Sequence, residues 1–137
     1  MGNKTNLNFL NAFMEADAEC AKKLGVKRHG VTEYINRLGD AKEAPDRTDV
    51  LARLVRYRNV RNKLAHEADA ISTVRDIGPS DVKWLKDFTR QIIRSKDSLS
   101  LHDRKLYRIE KWCTALKFIV PIALLLLASV AAAIILL

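Results

Sequence analysis

Residues 118–137 read FIVPIALLLLASVAAAIILL, twenty positions without a charge, in which only Pro121 and Ser129 fall outside the apolar set. At about 1.5 Å per residue the run makes about 30 Å of helix, the thickness of a bilayer's hydrocarbon core. What remains of the 137-residue chain is too short to cover a helix that is apolar on every side, so the run is expected to cross a membrane. Pro121 falls in the first turn of the span, where a local kink is tolerated. The run also distorts the composition. Hydrophobic residues make up 48% of the chain, but without the run the figure drops to about 41%, ordinary for a small water-facing domain.

Arg104, Lys105, Arg108, Lys111 and Lys117 precede the span against one acid, Glu110, and nothing follows Leu137. The positive-inside rule then holds the preceding domain in the cytoplasm and makes the span a single C-terminal anchor. The opening residues, MGNKTNLNFL, hold no apolar run of secretion-signal length, and Asn6 breaks the usual myristoylation pattern. Two cysteines in a reducing compartment speak against a disulfide. Cys20 reads as a small core residue and Cys113 as an ordinary helix position. No Cys/His cluster has metal-ligand spacing and no glycine-rich phosphate loop is present, so neither a metal nor another cofactor is expected.

Before the span the apolar residues recur at helical spacing throughout. Phe9, Phe13, Ala16, Cys20 and Leu24 form one stripe, predicting a helix over 6–24 ended by Gly25. Val31, Tyr34, Ile35 and Leu38 mark a second, closed by Gly39. A third should run over 47–66 with Asp46 as its cap, Asp49 in its first turn, and a core stripe of Val50, Leu54, Tyr57 and Leu64 flanked by Leu51 and Val60. After a loop over 68–79, Ser80 is expected to cap a fourth helix with Val82, Leu85, Phe88 and Ile92 on its buried face. Ser100 is expected to cap a fifth, whose stripe of Leu106, Ile109, Cys113 and Leu116 continues into the span. No stretch alternates as a strand would. The expected fold is all-α: a bundle over residues 1–100, a basic juxtamembrane helix over 101–117 and a transmembrane helix over 118–137.

The net charge of +8 is not spread evenly. Residues 47–63 carry six basic side chains against Asp49 alone, and 104–117 carry five against Glu110, while the remainder is close to neutral. Membrane topology and anionic headgroups account for the second patch. The first needs another reason, because its arginines are not confined to a solvated face. With Val50 at zero on a wheel of about 100° per residue, Leu54, Tyr57 and Leu64 lie at about 40°, 340° and 320°, and Arg61 lies at about 20°, inside the apolar stripe. Such an arginine must meet an acid, an anion or a partner surface. Arg58, Asn62 and His66 fall at about 80°, 120° and 160°, one ridge beside the stripe. Arg61 and His66 stand about 140° apart, so a regular helix does not aim both at one phosphate, whereas two helices related by a dimer axis can.

Leu54-Val55-Arg56 followed by Val60-Arg61-Asn62-Lys63-Leu64-Ala65-His66-Glu67 resembles the signature of HEPN domains, in which an Arg followed by a polar residue, often Asn, precedes a His with four to six residues between the Arg and the His, near the end of a bundle helix; here four residues separate Arg61 from His66. The likeness covers residues 6–96 and leaves the anchor outside. It implies a four- or five-helix bundle that forms a homodimer, with the motifs of both subunits on one cleft. It also implies metal-independent endoribonuclease activity of the toxin or antiviral-defence type, or, for members that have lost catalysis, a binding or dimerisation module.

If the chain cuts RNA, one group must take the 2′-OH proton, another must protonate the leaving 5′ oxygen, and a cation must hold the crowded phosphorane. Histidine changes charge near neutral pH, so His66 suits base or acid and its symmetry mate the other role. Arg61 offers a planar fork to the non-bridging oxygens, and Asn62 orients the phosphate or the imidazole. Arg58 and Lys63 guide the RNA backbone. His29 and His102 are expected to be plain surface residues, and Trp84 and Trp112 packing or interfacial ones. Two other readings stay open: a non-catalytic module that senses an anionic ligand, an antitoxin or another protein partner at the membrane, and a membrane segment that is itself the effector, packing through Ala128, Ser129 and the alanines at 131–133.

Overall fold

The computed structural model describes residues 2–66, 74 and 76–135. Its regular elements are α1 (Gly2–Leu24), α2 (Gly30–Asp40), α3 (Arg47–His66), α4 (Pro79–Ile93) and α5 (Ser98–Ile135), and no strand occurs among the described residues. The chain divides into two compact units, Met1–His102 and Asp103–Leu137. Most of the loop expected over 68–79 lies outside the described residues.

In the first unit α1 packs against α2, α3 and α4, and α2 packs against α3. The stripes read from the sequence form the core: Phe9, Ala16, Cys20, Tyr34, Leu54 and Leu85 are all without exposure to water. Aromatic contacts run through α1, α2, α3 and α4. Phe9 meets Tyr57 edge-on at 5.5 Å, Tyr57 meets Trp84 at 5.5 Å, Trp84 stacks on Phe88 at 5.4 Å, and Phe88 meets Tyr34 edge-on at 5.2 Å. Offset and edge-to-face pairs of this kind contribute beyond the area they bury. Burial, followed by the neighbouring Asp17 carboxylate, pushes the Cys20 thiol up to about 12, so it is an inert core residue.

The C-terminal end of α1 is the expected one, whereas several other helix ends differ, each for a visible reason. α1 closes in a Schellman turn at Gly25 (φ 68°), with the N–H of Val26 donating to the carbonyl of Ala21 at 3.0 Å. Gly39 does not end α2, which continues to Asp40, because the guanidinium of Arg47 donates to the carbonyls of Leu38 (3.0 Å) and Gly39 (2.6 Å) and satisfies that end of the helix. Ser80 is not the cap of α4. Gly78 precedes the helix and its N–H donates to Asp81 Oδ2 at 2.8 Å, while Asp81 Oδ1 accepts from the Tyr57 hydroxyl at 2.8 Å, joining α3 to α4. Nor does Ser100 cap α5; the helix starts at Ser98, and Asp97 before it takes the Ser100 N–H at 3.3 Å.

Asp97 does more than cap. Fully buried, it accepts from Lys23 of α1 at 2.7 Å, from the Tyr34 hydroxyl of α2 at 2.9 Å and from the Ser100 hydroxyl at 2.7 Å. Burial works to raise its pKa, but the hydrogen bonds from Lys23 and Ser100 outweigh burial and hold the carboxyl below its ordinary value. The start of α2 is fixed with equal closeness. A Cβ on Gly30 would sit 2.1 Å from the carbonyl oxygen of Asp17, so only glycine lets this turn press against α1, and the Asp17 carboxylate accepts the N–H of Val31 at 2.8 Å.

In the second unit α5 passes Pro121 as one continuous helix, and it is long and apolar enough to cross a membrane by length and composition. Along it the stripe residues Leu106, Ile109 and Leu116 are each about half exposed.

Replacing Asp97 by Asn should lower the stability of the bundle by about 3 kcal/mol, the usual cost of breaking a buried pair from one side. The Asp97 contribution is present above the ordinary carboxylate range and fades as pH falls through its lowered value, so the gap between wild type and variant should close in acid. Urea unfolding from pH 7 to pH 2 measures both.

Candidate functional site

The basic residues of α3 fall into two groups. Arg47 is taken up by the end of α2. Arg53 pairs with Asp49 at 3.0 Å and lies over the Trp84 ring, and Arg56 reaches the carbonyl of Asp76 and lies 3.6 Å from the Asp81 carboxylate. These three are accounted for by the fold. Arg58 and Arg61 are not, and among the described residues neither has an acidic partner.

Both line a cleft of about 400 Å³. Its first wall is α1, at Phe13, Met14, Asp17, Ala18 and Ala21. The α1–α2 loop supplies Lys27, Arg28 and His29, and Thr32 follows from α2. The third wall is α3, at Arg58, Arg61 and Asn62. Arg61 occupies the stripe position between Tyr57 and Leu64 that the wheel assigns it, yet it is only partly buried, because at this level α3 faces the cleft. Its guanidinium donates to Asn62 Oδ1 at 3.3 Å, which leaves the Asn62 amide nitrogen as a donor toward a ligand.

Lys27 and Arg28 likewise have no acidic partner among the described residues. Four cations therefore meet one carboxylate in the cleft, and that carboxylate, Asp17, already accepts a hydrogen bond from Val31. Charge gathered in a concave surface with low-dielectric walls raises the local concentration of anions. The arrangement can bind an anion through several charge-assisted hydrogen bonds at once.

Of the residues singled out from the sequence, Arg58, Arg61 and Asn62 come together here. Lys63 and His66 are exposed on α3 and do not line the cleft. His29, expected to be a plain surface residue, instead shares the cleft with the two arginines. It precedes Gly30 in left-handed backbone (φ 58°), and the close packing of Gly30 on α1 holds it there. A signal for it existed, since Lys27, Arg28 and His29 are three consecutive basic side chains between Gly25 and Gly30. It was hidden because the rest of the chain sums to near neutrality. Trp84 is a packing residue, between Tyr57 and Phe88, and Trp112 is exposed.

The model of a protein family described as "Family of unknown function (DUF6548)" matches residues 7–115. No curated protein and no solved structure matches the chain.

Substituting Arg61 by Leu should complete the apolar stripe of α3, leaving the bundle as stable as wild type or more stable by about 0.5–1 kcal/mol, while anion binding in the cleft falls about tenfold or more. Thermal unfolding and phosphate titration of the same sample measure the two effects.

Proposed function

The chain belongs to that family of unknown function, and from its own residues we propose that it is a membrane-anchored HEPN-like protein acting as a dimeric, metal-independent endoribonuclease of the toxin or antiviral-defence type. The observation that carries the reading is a coincidence of place. The Arg61-Asn62 pair of the HEPN-like run lies in a cleft where four cations lack acidic partners among the described residues, and such charge suits an RNA backbone.

In the reaction, the 2′ oxygen gives up its proton and attacks the adjacent phosphorus, the bond to the 5′ oxygen breaks, and that oxygen takes a proton, leaving a cyclic phosphate and a 5′-hydroxyl. Arg61 neutralises the non-bridging oxygens through paired hydrogen bonds. His66 of one subunit and its symmetry mate serve as base and acid. Arg58 and Lys63 steer the backbone without reading sequence. The dimer draws support from α5, whose open apolar residues Leu106, Ile109 and Leu116 follow the spacing of a helix-pairing seam that also includes Cys113. The basic residues before the uncharged run over 118–137 support a single span with the bundle in the cytoplasm.

One observation favours a second reading. His66 does not line the cleft that holds Arg58, Arg61 and Asn62, so the cleft can bind without cutting, as a module that senses an anionic ligand or a partner at the membrane.

The full chain in neutral detergent should cleave single-stranded RNA in the presence of EDTA and leave cyclic phosphate ends. His66→Ala should lower the rate about 10²- to 10⁴-fold, and equal activity of the two proteins, or none in either, would remove the enzyme reading. In membranes, mild oxidation should link two copies through Cys113, seen as a dimer on non-reducing gels that Cys113→Ser abolishes.

A further inference from the structure

We propose that residues 106–127 of α5 pair with the same segment of a second copy as a parallel, in-register two-stranded coiled coil, in which Glu110 of each chain faces Lys105 of the other. The assignment rests on the single-span reading and deepens the dimer proposed above by naming the arrangement that joins the copies. Every residue it uses lies in the second unit, outside the HEPN-like run.

Three observations lead to it. The apolar stripe of this unit has the period of a two-stranded seam. Leu106, Ile109, Cys113, Leu116 and Val120 alternate steps of three and four, the a and d positions of a heptad, and Ala123 and Leu127 carry the same register into the uncharged run. Lys105 and Trp112 flank the stripe on one side, Glu110 and Lys117 on the other. A seam bounded so narrowly by charge closes against one partner helix.

Headgroups and hydrocarbon do not reach the start of this stripe. α5 is continuous from Ser98 to Ile135. With residue 118 at the edge of the hydrocarbon core, Ile109 lies about 14 Å and Leu106 about 18 Å outside it along the helix. A tilt of about 40° still leaves them about 10 Å and 14 Å away, whereas the headgroup layer is about 5–8 Å deep. Both side chains are about half exposed, so a protein surface is what can cover them.

The third observation is the placing of one acid. Glu110 is the only acidic residue over 104–117, and the positions three and four away from it hold Leu106, Tyr107, Cys113 and Thr114, none of them a cation. Among the described residues its carboxylate has no ion pair. In a parallel pair, however, Lys105 occupies a g position and Glu110 the e position that follows it on the other chain, so the two meet twice by symmetry. One heptad later Trp112 and Lys117 stand in the same relation, a cation beside an aromatic ring.

A second copy is the occupant that carries the complementary pattern at the matching height. Two identical chains entering the membrane from the same side are parallel, and equal spacing from the span sets their stripes level. The remaining cations do not oppose the pairing. Arg104, Arg108 and Lys111 lie about 120–180° from the middle of the stripe, on the outer face of such a dimer.

The test uses the full chain in neutral detergent micelles. With Cys113→Ser as background, where the cysteine that remains, Cys20, is buried, the variants Leu106→Cys, Ile109→Cys, Arg108→Cys and Lys111→Cys are made singly and mildly oxidised. Leu106→Cys and Ile109→Cys should link into dimers on non-reducing gels, as Cys113 does in the wild type, and Arg108→Cys and Lys111→Cys should not. Linking at both 106 and 113 requires parallel chains in register, because an antiparallel pair brings like positions together at one level only. Equal linking at every position overturns the proposal, and so does linking at none, the result if lipid or a different protein covers the stripe. Lys105→Glu and Glu110→Lys should each weaken self-association about threefold to tenfold in density-matched sedimentation, and the double variant should restore it. Lys111→Glu, on the outer face, should associate like wild type. General repulsion between basic chains would instead make Lys105→Glu and Lys111→Glu both associate more tightly, which also overturns the proposal. RNA cleavage that depends on His66, with α5 positions that link indiscriminately, would sink this interface and leave the nuclease standing. Linking confined to the stripe, with rescue by the double charge reversal but without cleavage, would do the reverse.

Discussion

A carboxylate sealed from water, Asp97, ties α1, α2 and the start of α5 to one another within the first unit. Its two oxygens are shared among Lys23 from α1, Tyr34 from α2 and the opening turn of α5. A buried charge is tolerated only when its hydrogen-bonding capacity is filled, and here each partner comes with a different element. The start of the last helix is thereby locked to the two helices that carry the apolar and loop sides of the cleft. Apolar burial alone would not specify that register, because a stripe of Phe, Ala and Leu can slide by a turn at modest cost, whereas a four-fold coordinated carboxylate cannot.

α3 divides its positive charge between two tasks. Arg47, Arg53 and Arg56 are used up in holding neighbouring backbone, an acid in the same helix and the Asp81 carboxylate. Arg58 and Arg61 are left to the cleft, with Arg61 occupying a position where an apolar side chain would pack. An arginine in such a place adds no apolar contact to the core, and it lines the cleft instead. The match to the family of unknown function to which the chain belongs extends from the first turns of α1 to residue 115, within α5.

Much of the architecture was legible before any coordinates. The 3.6-residue spacing of Phe9 to Cys20, Val31 to Leu38, Val50 to Leu64 and Val82 to Ile92 named the buried faces, since helix periodicity is a local property of sequence. Helix ends were less legible, because the groups that satisfy them come from elsewhere. Arg47 extends α2 past Gly39, and Asp97 rather than Ser100 starts α5, and neither choice can be seen without knowing what packs nearby. The cleft was half legible. Arg61 stood out as a charge within an apolar stripe, but its companions Arg28 and His29 lie about thirty positions earlier, and only the packing of α2 on α1 and α3 brings them alongside.

The contact at Gly30 has a meaning for affinity as well as for packing. Ligands that must order a loop lose part of their binding free energy in doing so. Here the loop between α1 and α2 is tied down before any ligand arrives, by the turn at Gly25, by the Asp17 carboxylate on Val31, and by a backbone approach so close that position 30 has no room for a side chain. Its cations are preorganised. A change at Gly30 would thus act at a distance from any ligand, loosening the approach and converting a standing array of charges into one that has to be assembled at each encounter.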